Sequence, residues 1–165
     1  MLFDAIKDEN LEPDNSVVLA PDIGSVKMSQ GYAKNLGMHF ALIDKRRYAP
    51  NRAEISHLIG DLNGKDVLII DDMIDTAGTT VIAAEAALEQ GAKSVTAVAT
   101  HGVLSGSAME RLSESNIKKI IVTDTIAIPK EKHIEKMKIV SVGNVFGEAV
   151  NRIHNGESVS ALFEF

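Results

Sequence analysis

The sequence predicts an α/β domain, a mostly parallel twisted sheet flanked by helices. Short apolar runs alternate with segments of helical period along the chain, the pattern of strands joined by helical crossovers. Around Val17-Val18-Leu19, Val67-Leu68-Ile69-Ile70, Val95-Thr96-Ala97-Val98 and Ile120-Ile121-Val122 the runs are near-continuous β-branched or leucine stretches, as expected of strands buried on both faces. At 165 residues with 45% hydrophobic residues, the chain has the size and apolar content of one globular domain, which buries roughly two-thirds of its unfolded surface.

Taken in order, residues 1–15 read as a polar lead-in carrying Pro13. The first strand is expected over Ser16 to Ala20 and the first helix over Ser25 to Leu36, where Gly37 ends it. Further strands are expected over His39 to Ile43, Asp66 to Ile70, Ser94 to Ala99, Lys119 to Val122 and Ile139 to Val142. The remaining helices fall over Thr79 to Gln90, Ser107 to Ser113 and Val145 to His154. The first of these three is the clearest, being filled by Ala83, Ala84, Ala86, Ala87 and Leu88 and followed by Gly91. No repeat or linker divides the chain, so residues 1–165 are read as a single domain.

Composition excludes several classes. Seventeen basic against twenty-three acidic residues give a net charge of −6, so no overall basic field favours nucleic acid or an anionic membrane. Without cysteine there is no disulfide framework, thiolate metal site or thiol nucleophile. No apolar run approaches the roughly 20 residues that span a bilayer, and the start Met1-Leu2-Phe3-Asp4 lacks a basic leader region. The expectation is a soluble, cytoplasmic protein.

The segment richest in chemistry is Val67-Leu68-Ile69-Ile70-Asp71-Asp72-Met73-Ile74-Asp75-Thr76-Ala77-Gly78-Thr79-Thr80: a buried strand, two acids, a small-residue turn, then a helix. It lies where α/β proteins place ligands, at the carboxyl ends of parallel strands. The turn offers hydroxyls and backbone N–H groups at a helix start, which suit a phosphate monoester. Asp71 and Asp72 suit hydroxyl donors or a hydrated Mg²⁺ instead. A sugar phosphate satisfies both. The alternative is a capped helix start with a solvated acidic turn, and no GxxxxGK[ST] nucleotide loop is present.

Asp71-Asp72-Met73-Ile74-Asp75-Thr76-Ala77-Gly78-Thr79 resembles the phosphoribosyl-diphosphate motif of type I phosphoribosyltransferases and, more closely, the ribose 5-phosphate loop of ribose-phosphate diphosphokinases. The similarity to the latter runs from about Leu19 to Phe163. The resemblance implies the type I phosphoribosyltransferase fold, with Asp71 on the ribose hydroxyls beside Asp72, and Asp75, Thr76, Ala77, Gly78 and Thr79 on the 5-phosphate.

Two further loops gain meaning from the same resemblance. Ala20-Pro21-Asp22-Ile23-Gly24-Ser25-Val26-Lys27 matches the family's Pro-Asp-x-Gly-Gly turn, which implies diphosphate contacts from Asp22, Gly24, Ser25 and Lys27, with Asp22 near the metal. Ser25 stands where the second Gly is usual, and a left-handed backbone there would strain a serine. Asp44-Lys45-Arg46-Arg47-Tyr48-Ala49-Pro50-Asn51-Arg52 carries four basic residues; alone it reads as a solvated basic loop. The family's flexible catalytic loop has the Lys-x-Arg pattern, which maps onto Lys45 and Arg47 as stabilisers of the transferred group.

The implied reaction is transfer of a diphosphoryl group from Mg²⁺-ATP to the anomeric hydroxyl of ribose 5-phosphate, giving 5-phosphoribosyl 1-diphosphate and AMP for nucleotide biosynthesis. Family enzymes are about twice this length, so the chain corresponds to their C-terminal half, residues 1–15 leading in from an N-terminal half that carries much of the ATP recognition and a metal-binding His. A homo-oligomer or an N-terminal-half partner is expected. The alternatives are a salvage phosphoribosyltransferase, although no segment is an obvious hood over a nucleobase, and a non-catalytic regulatory or assembly subunit. The histidines form no HExxH or shared face, and His101, after a strand, is the one on the ligand side. Ser105 lacks the GxSxG context of a hydrolase nucleophile.

Overall fold

The computed structural model describes residues 1–49 and 52–163, and the side chains of residues 45–56 lie outside the description. In chain order the elements are α1 (Leu2–Lys7), β1 (Ser16–Ala20), α2 (Val26–Leu36), β2 (His39–Ala49), β3 (Arg52–Ile59), β4 (Asp66–Ile74), α3 (Gly78–Glu89), β5 (Ser94–Gly102), α4 (Ala108–Glu114), β6 (Lys119–Thr123), β7 (Met137–Val140) and α5 (Gly143–His154). They build a seven-stranded sheet of order β3-β2-β1-β4-β5-β6-β7. Every neighbouring pair is parallel except β2 with β3. The expected α/β architecture is the observed one.

Alternation along the central strands sends side chains to two cores. Val17, Leu19, Val67, Ile69, Val95 and Ala97 face one core, with Ala83, Ala84 and Ala87 of α3 and Leu112 of α4. Val18, Leu68, Ile70, Val98 and Ile121 face the other, with Ala33 and Leu36 of α2 and Leu2, Ala5 and Ile6 of α1. Unbroken apolar runs were therefore needed: over these residues neither face of the central strands meets water. The alanine-rich face of α3 lets that helix approach the sheet closely.

Several expectations are corrected. Residues 1–15 are not a polar lead-in throughout, because Leu2, Ala5 and Ile6 recur at helical spacing and are buried, Ile6 at 1% exposure. This helix closes the second core. Arg52–Ile59 form a strand that was not expected, and β2 continues past Ile43 to Ala49, so the basic segment after Ile43 is one arm of an antiparallel ribbon pairing Leu42 with Ile59 and Ala49 with Arg52. An edge ribbon needs only one buried face, so it leaves no continuous apolar run to detect. The last strand falls earlier than expected, at Met137–Val140.

The strand order sets the site. From β1 the chain passes through α2 to β2 on one side; from β4 it passes through α3 to β5 on the other. The helices lie on opposite faces of the sheet, α2 in one core and α3 in the other. The carboxyl ends of β1 and β4 therefore flank a topological switch point, where open α/β sheets bind ligands.

Candidate functional site

Register brings the first two sequence-predicted segments together. β1 and β4 pair Leu19 with Ile69, so Asp22, just past β1, and Asp71, within β4, lie near the same end of adjacent strands. The two are close enough for the Asp22 charge to act on Asp71. Asp71 is pushed up from the ordinary 3.8 to about 6, chiefly by burial, with the charges of Asp22 and Asp72 adding to it and the Asp72 N–H opposing it. That N–H donates to Asp71 Oδ1 at 3.0 Å. A carboxyl shifted this far by burial and by specific neighbouring charges is a mark of a functional site.

The acids do not sit in a loop, as the sequence suggested. β4 runs on to Ile74, and Asp71, Met73 and Ile74 pair with Ala99, His101 and Gly102 of β5. Ser29 of α2, fully buried, donates to the carbonyl of Ile70 at 3.3 Å, anchoring the residue before Asp71. Only Asp75, Thr76 and Ala77 form the turn. Ala77 is left-handed, with φ 61°, and caps α3, which begins at Gly78. Thr79 follows in the first turn of that helix. Among the described residues, no protein acceptor takes the N–H groups of Asp75, Thr76 or Ala77. Consecutive free N–H groups about a left-handed residue at a helix start form a concavity for an anion.

Asp75 behaves differently from Asp71. Its carboxylate accepts a hydrogen bond from Ser105 Oγ, in the segment after β5. Tied there, the carboxylate leaves the backbone of the turn as the part free to meet an anion. Ser105 was considered as a nucleophile and set aside; its partner shows that it braces the turn. Arg111 of α4 was not singled out at all, yet its Nη1 donates to the Thr76 carbonyl at 2.9 Å. Neither Ser29, Ser105 nor Arg111 carries a local motif that announces such a contact.

The turn after β1 is relaxed. Ser25 has φ −87° and ψ −4°, a right-handed conformation, so the expected strain is absent. Its N–H donates to Asp22 Oδ1 at 3.1 Å and its Oγ to the Asp22 carbonyl at 3.0 Å. A Cβ on Gly24 would stand 3.2 Å from Asp22 Oδ1, so glycine keeps the carboxylate uncrowded. Ser25 is buried and Lys27 exposed. The side chains of Lys45 and Arg47 lie outside the described residues. His101 holds Thr125 through Nδ1 at 2.9 Å, a link between β5 and the segment after β6.

No group of three or more His, Cys, Asp or Glu arranged to hold a metal occurs among the described residues. A cavity of about 640 Å³, away from the candidate site, opens at the amino ends of the strands beside Glu9, Lys119 and Lys136. Its lysines serve the fold: Lys119 reaches Glu9 at 2.7 Å, and Lys136 reaches the Ser115 carbonyl at the end of α4 at 2.7 Å.

Residues 47–164 match the model of the phosphoribosyl synthetase-associated domain. The chain belongs to this family. A relative named ribose-phosphate pyrophosphokinase, from Caldanaerobacter subterraneus, is 54% identical over 150 residues, 91% of this chain and 48% of its own length. The crystal structure of phosphoribosylpyrophosphate synthetase from Mycobacterium smegmatis superposes with a TM-score of 0.83 at 31% identity, covering 94% of this chain and 50% of that one. A purine phosphoribosyltransferase from Pyrococcus horikoshii, at 17% identity and a TM-score of 0.51, shares the fold. The chain spans about half the length of the curated relatives it matches. Among the described residues no helix is long and apolar enough to cross a membrane.

Proposed function

We propose that this chain carries the sugar-phosphate site of a ribose-phosphate diphosphokinase, a transferase that makes 5-phosphoribosyl 1-diphosphate. The observation that carries the proposal is the half-buried acid Asp71 beside a turn whose N–H groups lack acceptors among the described residues, both at the switch point between β1 and β4. In this reading Asp71 and Asp72 accept the ribose hydroxyls, while the backbone of Asp75, Thr76, Ala77, Gly78 and Thr79 takes the 5-phosphate. The anomeric oxygen bonds to the β-phosphorus of ATP, the bond from that phosphorus to the α-bridging oxygen breaks, AMP departs and the hydroxyl proton is released.

Asp22, Gly24, Ser25 and Lys27 would line the diphosphate, and Lys45 and Arg47 would neutralise the group in flight. Mg²⁺ fits Asp22 because this ion needs only one or two carboxylates, completing its shell with water and substrate phosphate. One Asp22 oxygen already accepts the Ser25 N–H, which leaves the other for the ion or its water. Bound there, the ion would supply charge neutralisation on the diphosphate.

In this reading much of the ATP recognition falls to the part of the relatives that this chain does not span. Its partner would be such a unit or another copy of the chain, and the setting cytoplasmic. α5 supports a partner, because Phe146, Val150 and Ile153 are 62, 66 and 68% exposed along one stripe.

Calorimetry with ribose 5-phosphate and an AMP assay with Mg²⁺-ATP test the reading on one sample. Measurable sugar-phosphate binding with very slow or absent turnover is expected. No binding would overturn the site assignment. Turnover near ~10 s⁻¹, an ordinary enzyme median, would show that this chain needs no second half.

A further inference from the structure

The carbonyls that leave β4 are all held from one side. The Leu104 N–H donates to the Ile74 carbonyl at 3.0 Å and the Ser105 N–H to the Asp75 carbonyl at 3.1 Å. Arg111 Nη1 then donates to the Thr76 carbonyl at 2.9 Å. A trans peptide is planar, with its N–H opposed to its C=O. Fixing these carbonyls toward the segment 104–111 therefore turns the N–H groups of Asp75, Thr76 and Ala77 away from it. These are the groups without protein acceptors among the described residues.

We propose that Arg111 is a positioning residue for phosphate binding: by holding the Thr76 carbonyl, its guanidinium aims the Ala77 N–H at the bound phosphate. The proposal rests on the reading of this turn as the sugar-phosphate site. The Ile74 and Asp75 carbonyls are held by the backbone N–H groups of Leu104 and Ser105. The Thr76 carbonyl alone is held by a side chain. It also precedes Ala77, whose left-handed conformation costs a non-glycine residue on the order of 1–2 kcal/mol and persists only where its surroundings impose it.

The guanidinium lies against Gly78 as well, since a Cβ built there would be 3.4 Å from Arg111 Nη1. It thus brings a permanent positive charge to the start of α3. Arg111 is itself exposed, and α4 is anchored by Ala108 and Leu112, both fully buried. Its replacement should leave the fold intact.

The test is a titration of the ¹⁵N-labelled chain with orthophosphate, ribose 5-phosphate and ribose, for the wild type, Arg111→Met and Arg111→Lys. In the wild type the amides of Thr76, Ala77 and Gly78 should shift and saturate with both phosphorylated ligands. Arg111→Met should need about tenfold more of either, the scale of one lost hydrogen bond from a charged donor. Arg111→Lys should fall between. The response of the Asp71 amide to ribose should be equal in all three proteins, which a general loss of structure would not allow. If the wild type binds ribose 5-phosphate through these amides and Arg111→Met binds it equally well, the inference is overturned while the site reading stands. If orthophosphate moves the amides in the expected order but ribose 5-phosphate does not bind, the inference stands and the substrate reading falls. If no amide of the turn responds to any ligand, both are overturned.

Discussion

The ring of Phe3 lies 4.3 Å from that of Tyr32, with planes 14° from parallel, so α1 is fastened to α2. Ile6, on the next turn, is almost fully buried in the core that contains Val18, Leu68, Ile70 and Ile121. The stacked pair adds about 0.5–1.5 kcal/mol to whatever area its members bury. Between them, Phe3 and Ile6 make residues 2–7 part of the sheet's second covering layer. They also lie on the face opposite α3, where α1 packs against β6.

Replacing Ile6 by Ala should therefore cost about 3 kcal/mol, the usual scale for a large-to-small change in a packed core. Urea unfolding followed by far-UV circular dichroism would measure it. A loss under about 1 kcal/mol would mean that α1 is not an integral part of the core.

Asp71 should trade stability for binding. Its folded pKa of about 6 lies above the ordinary 3.8, so the folded state holds the proton more tightly than the unfolded one. The favourable contribution is complete below pH 3.8 and is lost as pH rises through about 6. Asp71→Asn should accordingly match the wild type near pH 4 and exceed it at pH 7 by about 1–2 kcal/mol, the roughly 3 kcal/mol of the full shift reduced by solvent screening of a partly exposed group. Paired urea titrations at the two pH values test this. The same variant should bind ribose 5-phosphate more weakly at pH 7, because an amide gives the hydroxyls a poorer acceptor than a carboxylate.

Ser25→Gly moves the turn toward the family's Pro-Asp-x-Gly-Gly pattern, yet it should destabilise this chain. Ser25 is right-handed, nearly buried and bonded to Asp22 through both N–H and Oγ. Glycine would forfeit the Oγ bond and add freedom to the unfolded chain, a loss of about 1–2 kcal/mol. A higher melting temperature for the variant would show that the serine is strained after all.

Gly60→Ala should be among the more damaging small substitutions. Gly60 has φ +129°, and a Cβ built there would stand 2.6 Å from the Ala41 Cβ and 3.1 Å from its Cα. The backbone leaving β3 lies against β2, so relief requires the ribbon to shift. A loss above about 2 kcal/mol is expected from the overlap and the backbone conformation together, measured by thermal unfolding.

What the sequence determined by itself was local. The β-branched runs at Val17-Val18-Leu19, Val67-Leu68-Ile69-Ile70 and Ile120-Ile121-Val122 specify strands because strands buried on both faces leave no room for polar residues. The alanines from Ala83 to Ala87 specify a helix pressed on a sheet. The two acids and the small-residue turn from Asp71 to Thr79 follow directly from such a strand, so they were readable as a candidate site. The edge ribbon from His39 to Ile59 was only partly readable, since a strand with one face in water shows a weaker pattern. Leu2, Ala5 and Ile6 were overlooked because six residues make a short periodic signal.

Tertiary structure alone decided which distant groups serve the turn. Ser29 holds Ile70 across 41 residues, Ser105 holds Asp75 across 30 and Arg111 holds Thr76 across 35. A serine or an arginine is ordinary in sequence, and its hydrogen bond exists only once the strand order places its segment beside the acceptor. The same holds for Asp71, whose raised pKa depends on burial and on Asp22 arriving from the neighbouring strand. Burial and through-space charge depend on the folded neighbourhood, and no spacing along the chain encodes them.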